Sequence, residues 1–328
     1  MAVKDEILKI FEQDKGVFYS GEELASVLGV SRNAVWKAVR QLEADGYKFD
    51  AVSGKGYRLT EDSDVLSEFG IRKYLGSYAD KFDLKIYKTI SSTNTVLKEM
   101  AAEGAPEGTI LIASEQTAGR GRMNRKFYSP TGTGLYMSIL LRPQMNAEES
   151  LFITTAAAVA AARIIEEVSG QKAGIKWVND IFVNGKKACG ILTEASFDME
   201  SGRLEYAIPG IGINITPPQE GFPDEIKDVA TAVFDGVVPP QDVKNRIAAG
   251  IIKYFTEYYE NLPQHAFFDE YVRRSVVVGK DILVIGRGET RPARALAIDA
   301  NCNLRVRYED GTEDTLSSGE VSIKPKFE

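Results

Sequence analysis

The chain has 328 residues, 44% hydrophobic and 27% charged, which suits several packed domains and excludes wholesale disorder. A formal net charge of -7 excludes a global field that would attract nucleic acid, so any such contact needs a local cluster of cations. Two cysteines, Cys189 and Cys302, and one histidine, His265, leave no material for a disulfide framework, a multi-cysteine zinc site, a His-rich metal site or a Ser-His-Asp triad.

No apolar run has the length of a membrane span, and the opening MAVKDEILKI lacks the layout of a signal peptide. A cytoplasmic protein with no membrane partner is expected. Ile7, Ile10 and Phe11 share one face of a first helix, and Leu24, Val27 and Leu28 repeat that pattern in a second. Ser20 with Glu23 forms a capping box at the second helix, and Gly29 ends it. Ser31 caps a third helix, with Val35, Val39 and Leu42 on its packing face and Gly46 at its close. The segment YKFDAVSGKGYRL then alternates around Gly54 and Gly56, as a small hairpin or wing does. Glu61-Asp62-Ser63-Asp64 has nothing to pack a core and reads as a linker. A winged helix-turn-helix domain is expected over 1–62.

Such a head places its recognition helix in the major groove and fixes it with phosphate contacts. The third helix supplies Ser31, Arg32, Asn33, Lys37 and Arg40, and the wing adds Lys48, Lys55 and Arg58. Arg pairs bidentately with guanine and Asn with adenine, so Arg32 and Asn33 are the base-reading candidates and Lys55 suits a phosphate. The alternative is a protein-contact module whose charges form a solvated face.

Helical segments near 67–75, 93–103 and 148–168 alternate with apolar strands near 84–90, 109–114 and 134–141. Strands dominate from Gly174 to Ile215, where Asn184-Gly185 signals a hairpin in an antiparallel sheet. A helix over 242–260 leads to short strands from Val276 onward, with Asp310-Gly311 as another hairpin signal, in the manner of a small β-barrel.

Chemistry concentrates first in EQTAGRGRMNRK, residues 115–126. Glycines let backbone N–H groups close around an anion, and guanidinium forks match phosphate or carboxylate oxygens. Four cations so close together predict a loop that is mobile until an anionic ligand enters. Alone, the segment fits a solvated turn or an RNA-touching loop equally well. Three further segments add context. Ser91-Ser92-Thr93-Asn94 collects hydroxyls and an amide at a helix start, where caps are also common. Lys176-Trp177-Val178-Asn179-Asp180 sets a cation, an amide and a carboxylate around a strand, with Lys187 beyond the next turn. Gly210-Ile211-Gly212-Ile213-Asn214 marks a close approach to the backbone, or tight sheet packing. No Walker A or G-x-G-x-x-G pattern is present, so a P-loop or Rossmann site is not expected.

Taken in order, STN, QTAGRGR, KWVND, the lysine of KKACGIL, and GIGIN are similar to the motif series of biotin-protein ligases. With the head in front and the strands GKDILVIGRG and LRVRYEDGTEDTLSSGEVSIK behind, the whole chain resembles the bifunctional biotin-protein ligase and biotin operon repressor family. The resemblance implies a multidomain α+β fold. Its parts are the winged helix-turn-helix, a central class II synthetase-like mixed β-sheet with helices over 67–270, and a C-terminal SH3-like β-barrel over 275–328. It implies a biotin–[acetyl-CoA-carboxylase] ligase using ATP and Mg2+. Biotin's carboxylate attacks the α-phosphate to give biotinyl-AMP, and a carrier lysine then takes the acyl group.

Carried onto this sequence, Ser92, Thr93, Asn94, Gln116, Arg120 and Gly121 would surround biotin, with Arg122 and Lys187 catalytic at its carboxylate and the phosphate. Arg122, Phe127, Lys176, Asn179 and Asn214 would hold ATP and the adenylate, and no tight direct metal site is implied. The implied partners are the biotin carboxyl carrier domain of acetyl-CoA carboxylase or another biotin-dependent carboxylase, operator DNA, and a second copy of the chain once biotinyl-AMP is bound. Asn124 and Phe127 stand where many relatives have Gly and Trp, and Phe offers an adenine ring less stacking area than Trp. A lipoate or octanoyl transferase and a sensing repressor without ligase activity are the alternatives. Intact Arg120, Arg122 and Lys187 argue against the latter.

Overall fold

The computed structural model describes residues 2–146, 149–198, 200, 202–285 and 289–323. The side chain of Asn124 and, within the expected barrel, residues 286–288 and 324–328 lie outside the described residues. The chain divides into two compact units, one of Met1–Lys81 with Val238–Gly250, the other of Phe82–Val237 with Ile251–Glu328.

The first unit opens with α1 (Val3–Gln13), α2 (Gly21–Leu28) and α3 (Arg32–Ala44), then the antiparallel wing of β1 (Phe49–Val52) and β2 (Gly56–Leu59). The Ser20 hydroxyl accepts from Glu23 N at 3.0 Å and the Glu23 carboxylate accepts from Ser20 N at 3.4 Å, the reciprocal pair of a capping box. Gly29 ends α2 in the left-handed region at φ 63, and Ser31 caps α3 by accepting from Ala34 N at 3.2 Å. Ile7, Phe11, Leu24, Val35, Val39 and Leu42 form the core as expected. Val27 does not: it is 70% exposed. A short helix turns Leu24, Ala25 and Leu28 inward within 100° of arc, and residue 27 sits on the far side of Leu24 from that arc.

The expected acidic linker is also built into the structure. Ser63 is buried, its hydroxyl accepts from Lys48 N at 3.2 Å, and its carbonyl accepts from Lys15 Nζ at 3.0 Å. Polar groups pack here because each has a partner, which apolar patterning alone does not register. α4 (Glu68–Leu75) follows, capped by Ser67. Lys15 Nζ lies 3.1 Å from Glu12 and 2.8 Å from Asp242, all three nearly buried, and Asn245 binds Asp242 at 2.8 Å and the Val65 carbonyl at 2.9 Å.

The second unit is built on a seven-stranded mixed sheet in the order β3-β4-β5-β9-β8-β7-β6. Its strands are β3 (Asp83–Tyr87), β4 (Thr109–Ala113), β5 (Gly134–Ile139), β6 (Ala173–Lys176), β7 (Asp180–Val183), β8 (Lys186–Phe197) and β9 (Leu204–Asn214). Only β3 and β4 run parallel, joined through α5 (Thr93–Ala102). β4 and β5 are buried along their whole length, which is why they read as largely apolar runs. α6 (Ser150–Ser169), rich in alanine and buried almost all round, packs on β6, β8 and β9. After α7 (Val243–Glu260) and α8 (Phe268–Arg273), β10 (Asp281–Ile285), β11 (Thr290–Ile298), β12 (Leu304–Tyr308), β13 (Glu313–Leu316) and β14 (Glu320–Ile323) form the antiparallel sheet of the small SH3-like barrel. KWVND lies around a turn rather than along a strand: Lys176 ends β6, Asp180 begins β7 opposite it, and Trp177–Asn179 connect them.

Burial raises the pKa of Glu12 and the nearby Asp242 carboxylate adds to it, while Lys15 pulls it back. Lys15→Met is therefore expected to destabilise the protein at pH 8 by about 3–5 kcal/mol, because two carboxylates lose their buried counter-charge. The loss should shrink at pH 5, where Glu12 without its partner takes up a proton; urea unfolding at the two pH values checks both sign and size.

Candidate functional site

Every ligand-binding residue expected in the catalytic region lines one cavity of about 700 Å³: Ser92, Thr93, Asn94, Gln116, Arg120, Gly121, Arg122, Phe127, Lys176, Asn179, Lys187 and Asn214. The floor is the exposed face of β8 and β9, where Gly190 pairs directly with Gly212 and Leu192 with Gly210. A Cβ on Gly212 would stand 2.5 Å from the Phe127 ring, and one on Gly210 would stand 2.0 Å from Asn94 Oδ1. The two glycines of GIGIN therefore clear space for side chains of the site itself.

One end of the cavity is neutral and tightly bonded. Ser92 caps α5, and Thr93 sends both its N–H and its hydroxyl to Gln116 Oε1, at 2.8 and 3.1 Å. Gln116 Nε2 donates to the Ser129 hydroxyl at 3.2 Å, which fixes the amide and leaves one N–H hydrogen for a ligand. Asn94 Nδ2 donates to the Leu192 carbonyl at 3.1 Å and to Glu194 at 3.0 Å, while its Oδ1 lies 2.6 Å from the Ser138 hydroxyl. Asn94 thus braces the wall from within. Ser138, Ser129 and Glu194 carried no signal in the sequence, Ser138 and Glu194 being single polar residues in apolar or mixed strands and Ser129 a polar residue in the segment before β5.

The other end is cationic. Lys187 lies 2.6 Å from Asp180, and Arg122 donates to Asn179 Oδ1 at 3.2 Å. Asn179 Nδ2 in turn donates to the Ile191 carbonyl at 2.6 Å. The turn that carries Asn179 is pinned by Trp177 Nε1, which donates to the Cys302 carbonyl at 2.9 Å, and by the Tyr271 hydroxyl, which donates to the Val178 carbonyl at 3.0 Å. Burial pulls Lys176 below the usual lysine range, with Lys187 and Arg125 adding to it against Asp180 and Glu320. Asn214 Nδ2 donates to the Thr231 carbonyl at 3.0 Å, and the backbone of Lys187 pairs with the 229–231 segment that closes this side.

The Gly/Arg loop folds back on itself. Phe127 N donates to the Gly119 carbonyl at 2.9 Å and Gly121 N to the Arg125 carbonyl at 2.8 Å, with Met123 at φ 55 in the tip. The repulsion expected among its cations is offset locally: Arg120 lies 3.5 Å from Glu194, Arg122 meets Asn179, and Arg125 donates to Glu320 at 2.9 Å. These acceptors come from β7, β8 and β14 and their flanks, so the loop sequence alone does not disclose them.

In the first unit, Ser31, Arg32, Asn33, Lys37 and Arg40 are exposed on one side of α3, and Lys55 is exposed at the tip of the wing. Lys55 and Arg58 lie over the Phe18 ring at 5.8 and 4.7 Å. Arg58 also pairs with Asp50, and Lys48 with Asp62. Those two wing cations are partly neutralised, which leaves Lys55 the more available to an anion.

Three family models match in the order the fold presents them: an HTH domain over residues 4–58, the biotin/lipoate A/B protein ligase family over 86–214, and the biotin protein ligase C-terminal domain over 278–324. The bifunctional ligase/repressor BirA of Bacillus subtilis is 39% identical, across 96% of this chain and 97% of that protein. The chain belongs to the bifunctional biotin ligase/repressor family. The Escherichia coli bifunctional ligase/repressor BirA is 28% identical over 94% of each chain. A solved structure of the Aquifex aeolicus biotin protein ligase in complex with biotin and ATP superposes with a TM-score of 0.62 at 27% identity, covering 74% of this chain and 98% of that one.

The glycine floor gives a direct test of this geometry. Gly210→Ala, which must displace Asn94, is expected to cost about 1–3 kcal/mol in urea unfolding. Gly121→Ala, whose added Cβ finds its nearest neighbour at 3.5 Å, should stay within about 0.5 kcal/mol of the parent.

Proposed function

We propose that the chain is an ATP-dependent biotin-protein ligase that forms biotinyl-5'-AMP and transfers biotin to a carrier lysine, and that it also binds DNA as a repressor of biotin biosynthesis genes. The observation that carries the ligase reading is the polarity of this cavity, neutral around Thr93 and Gln116 and cationic around Arg122 and Lys187. An uncharged cyclic urea is matched by fixed neutral donors and acceptors, where a charge would be desolvated without compensation. A carboxylate and a phosphate are matched by the cations at the other end.

In the first step a biotin carboxylate oxygen bonds to the α-phosphorus of ATP and the bond to the bridging oxygen breaks, so pyrophosphate leaves with that electron pair. Arg122 and Lys187 oppose the negative charge that gathers on the α-phosphate, and Asp180 holds Lys187 in place for it. In the second step the neutral ε-amine of a carrier lysine bonds to the acyl carbon, the bond from that carbon to the phosphate oxygen breaks so that AMP leaves with the electron pair, and the amine's surplus proton passes to solvent. No covalent bond to the enzyme is needed. Phe127, Lys176, Asn179 and Asn214 are assigned to the nucleotide end. Among the described residues no group of three His, Cys, Asp or Glu side chains stands together as metal ligands. Magnesium is assigned to the triphosphate, whose oxygens suit it.

The carrier is a biotin carboxyl carrier domain of acetyl-CoA carboxylase or another biotin-dependent carboxylase. The adenylate-bound chain pairs as a homodimer on operator DNA, with Arg32 and Asn33 of α3 toward the bases and Ser31, Lys37, Arg40 and Lys55 toward phosphates. Cytoplasmic action fits buried, unpaired Cys189 and Cys302. Among the described residues no helix is long and apolar enough to cross a membrane.

With Mg-ATP the purified protein should exchange pyrophosphate in the presence of biotin but not of lipoate, and should label an acetyl-CoA carboxylase carrier domain. Exchange with lipoate alone would move the chain to the lipoate branch. Arg122→Gly removes the guanidinium over the carboxylate and phosphate end. It should form biotinyl-AMP but release it, seen as labelling of bystander lysines on an added protein such as serum albumin; adenylate retained as tightly as in the parent would refute the role.

A further inference from the structure

α3 carries one large apolar side chain that its core does not use. Val35, Ala38, Val39 and Leu42 are buried, and at 3.6 residues per turn the opposite side presents Asn33, Trp36, Lys37 and Arg40. Trp36 is 47% exposed and is no part of the head's apolar cluster. Arg40 lies over its ring at 5.8 Å while pairing with Glu43 at 2.9 Å, which steadies the indole without covering it. A single exposed apolar side chain needs no special account on an ordinary surface. Here it stands within one turn of Arg32, Asn33, Lys37 and Arg40, the groups able to hold phosphates and base edges.

We infer that Trp36 reads sequence, its indole packing against the 5-methyl group of a thymine in the major groove. The inference rests on α3 being the DNA-recognition helix. Of the four bases only thymine presents a methyl group there, and an apolar surface distinguishes it where cations cannot. Lys37 and Arg40 supply attraction that is largely independent of sequence, and Trp36 adds a sequence-dependent contact that carries no charge. The indole is rigid, and its partial exposure in the free protein means that apolar area remains to be covered on binding.

The test uses the full chain with biotin and Mg-ATP. A duplex is selected from a randomised pool, then remade with deoxyuridine in place of each thymine in turn, which removes one methyl group and nothing else. Binding of the unsubstituted protein should weaken by about fourfold at one thymine of each half-site, the value of one buried methyl. Trp36→Ala should bind the thymine duplex at least that much more weakly and lose the distinction, whereas Trp36→Phe should retain part of it. The parent offers a second readout that needs no variant. Trp177, the other tryptophan, is 3% exposed, so a change in emission on adding the selected duplex reports on Trp36.

The same deoxyuridine penalty in Trp36→Ala, no sensitive thymine in the parent, or unchanged emission on binding would each overturn the inference. Wild-type DNA affinity in Trp36→Ala with an altered oligomeric state would assign the residue to a protein contact instead and overturn it too. A parent protein that retains no duplex would overturn the DNA-binding reading itself.

Discussion

A ligand can lie against the large sheet only where neighbouring strands lack side chains on that face. Gly190 and Gly212 stand opposite each other on β8 and β9, and Gly210 follows one pleat along on the same strand. Any Cβ at these positions would fall inside contact distance of Phe127, Lys187 or Asn94. The glycines therefore set how close the loop, the lysine and the start of α5 come to the floor, and so fix the depth of the cavity. Phe127 ties the Gly/Arg loop to this floor. Its ring rests over Gly190 and Gly212 and meets Tyr136 edge-on at 6.3 Å, so the cations before it are presented from a short, anchored hairpin.

The wall above that floor is unevenly charged. Arg120, Arg122, Arg125, Lys126, Lys176 and Lys187 line it, against Asp180, Asp228 and Glu320. Asp180 and Glu320 are already engaged with Lys187 and Arg125. Lys176 shows the shortage of counter-charge, since burial outweighs the carboxylates near it and its pKa falls. An arriving triphosphate or adenylate would reverse that balance. By linkage, an anion that raises the pKa of Lys176 is itself held more firmly when Lys176 is protonated, so ligand charge and site charge stabilise each other.

The local signals in the sequence were strong where one residue type has one physical use. Ser20 with Glu23 and Ser31 before α3 gave true caps, and Asn184-Gly185 gave the turn between β7 and β8. The motif residues converge because β8 and β9 are long neighbours and α5 starts beside them, a pairing the motif order suggests but does not contain. The supports of the site were not readable in this way. Glu194, Ser138, Ser129 and Glu320 matter through partners 13 to 195 residues away in the chain, and nothing in their immediate surroundings marks them. Val27 failed for a simpler reason: with four apolar residues, Leu24, Ala25, Val27 and Leu28, on an eight-residue helix, the direction of the core decides which one is left out.

The same limit applies to the region after the wing, where polar composition suggested a loose connection. Lys15 is held between Glu12 and Asp242, and Ser63, Ser67 and Asn245 complete the hydrogen bonding around them. Buried ion pairs of this kind add little net stability against an apolar alternative, but they are costly to break because each remaining charge stays out of water. They therefore specify which segments belong together. Residues 242–245 fold with α1 and the segment 63–67, although more than 170 residues separate them in the chain. A chain beginning at residue 63 would keep Asp242 with Asn245 and with Tyr74, whose hydroxyl donates to it at 2.9 Å, but lose both Glu12 and Lys15, leaving Asp242 without its cation. A drop in ligase activity after such a cut would then reflect an uncompensated carboxylate at the start of α7, and would not by itself show that the head takes part in catalysis.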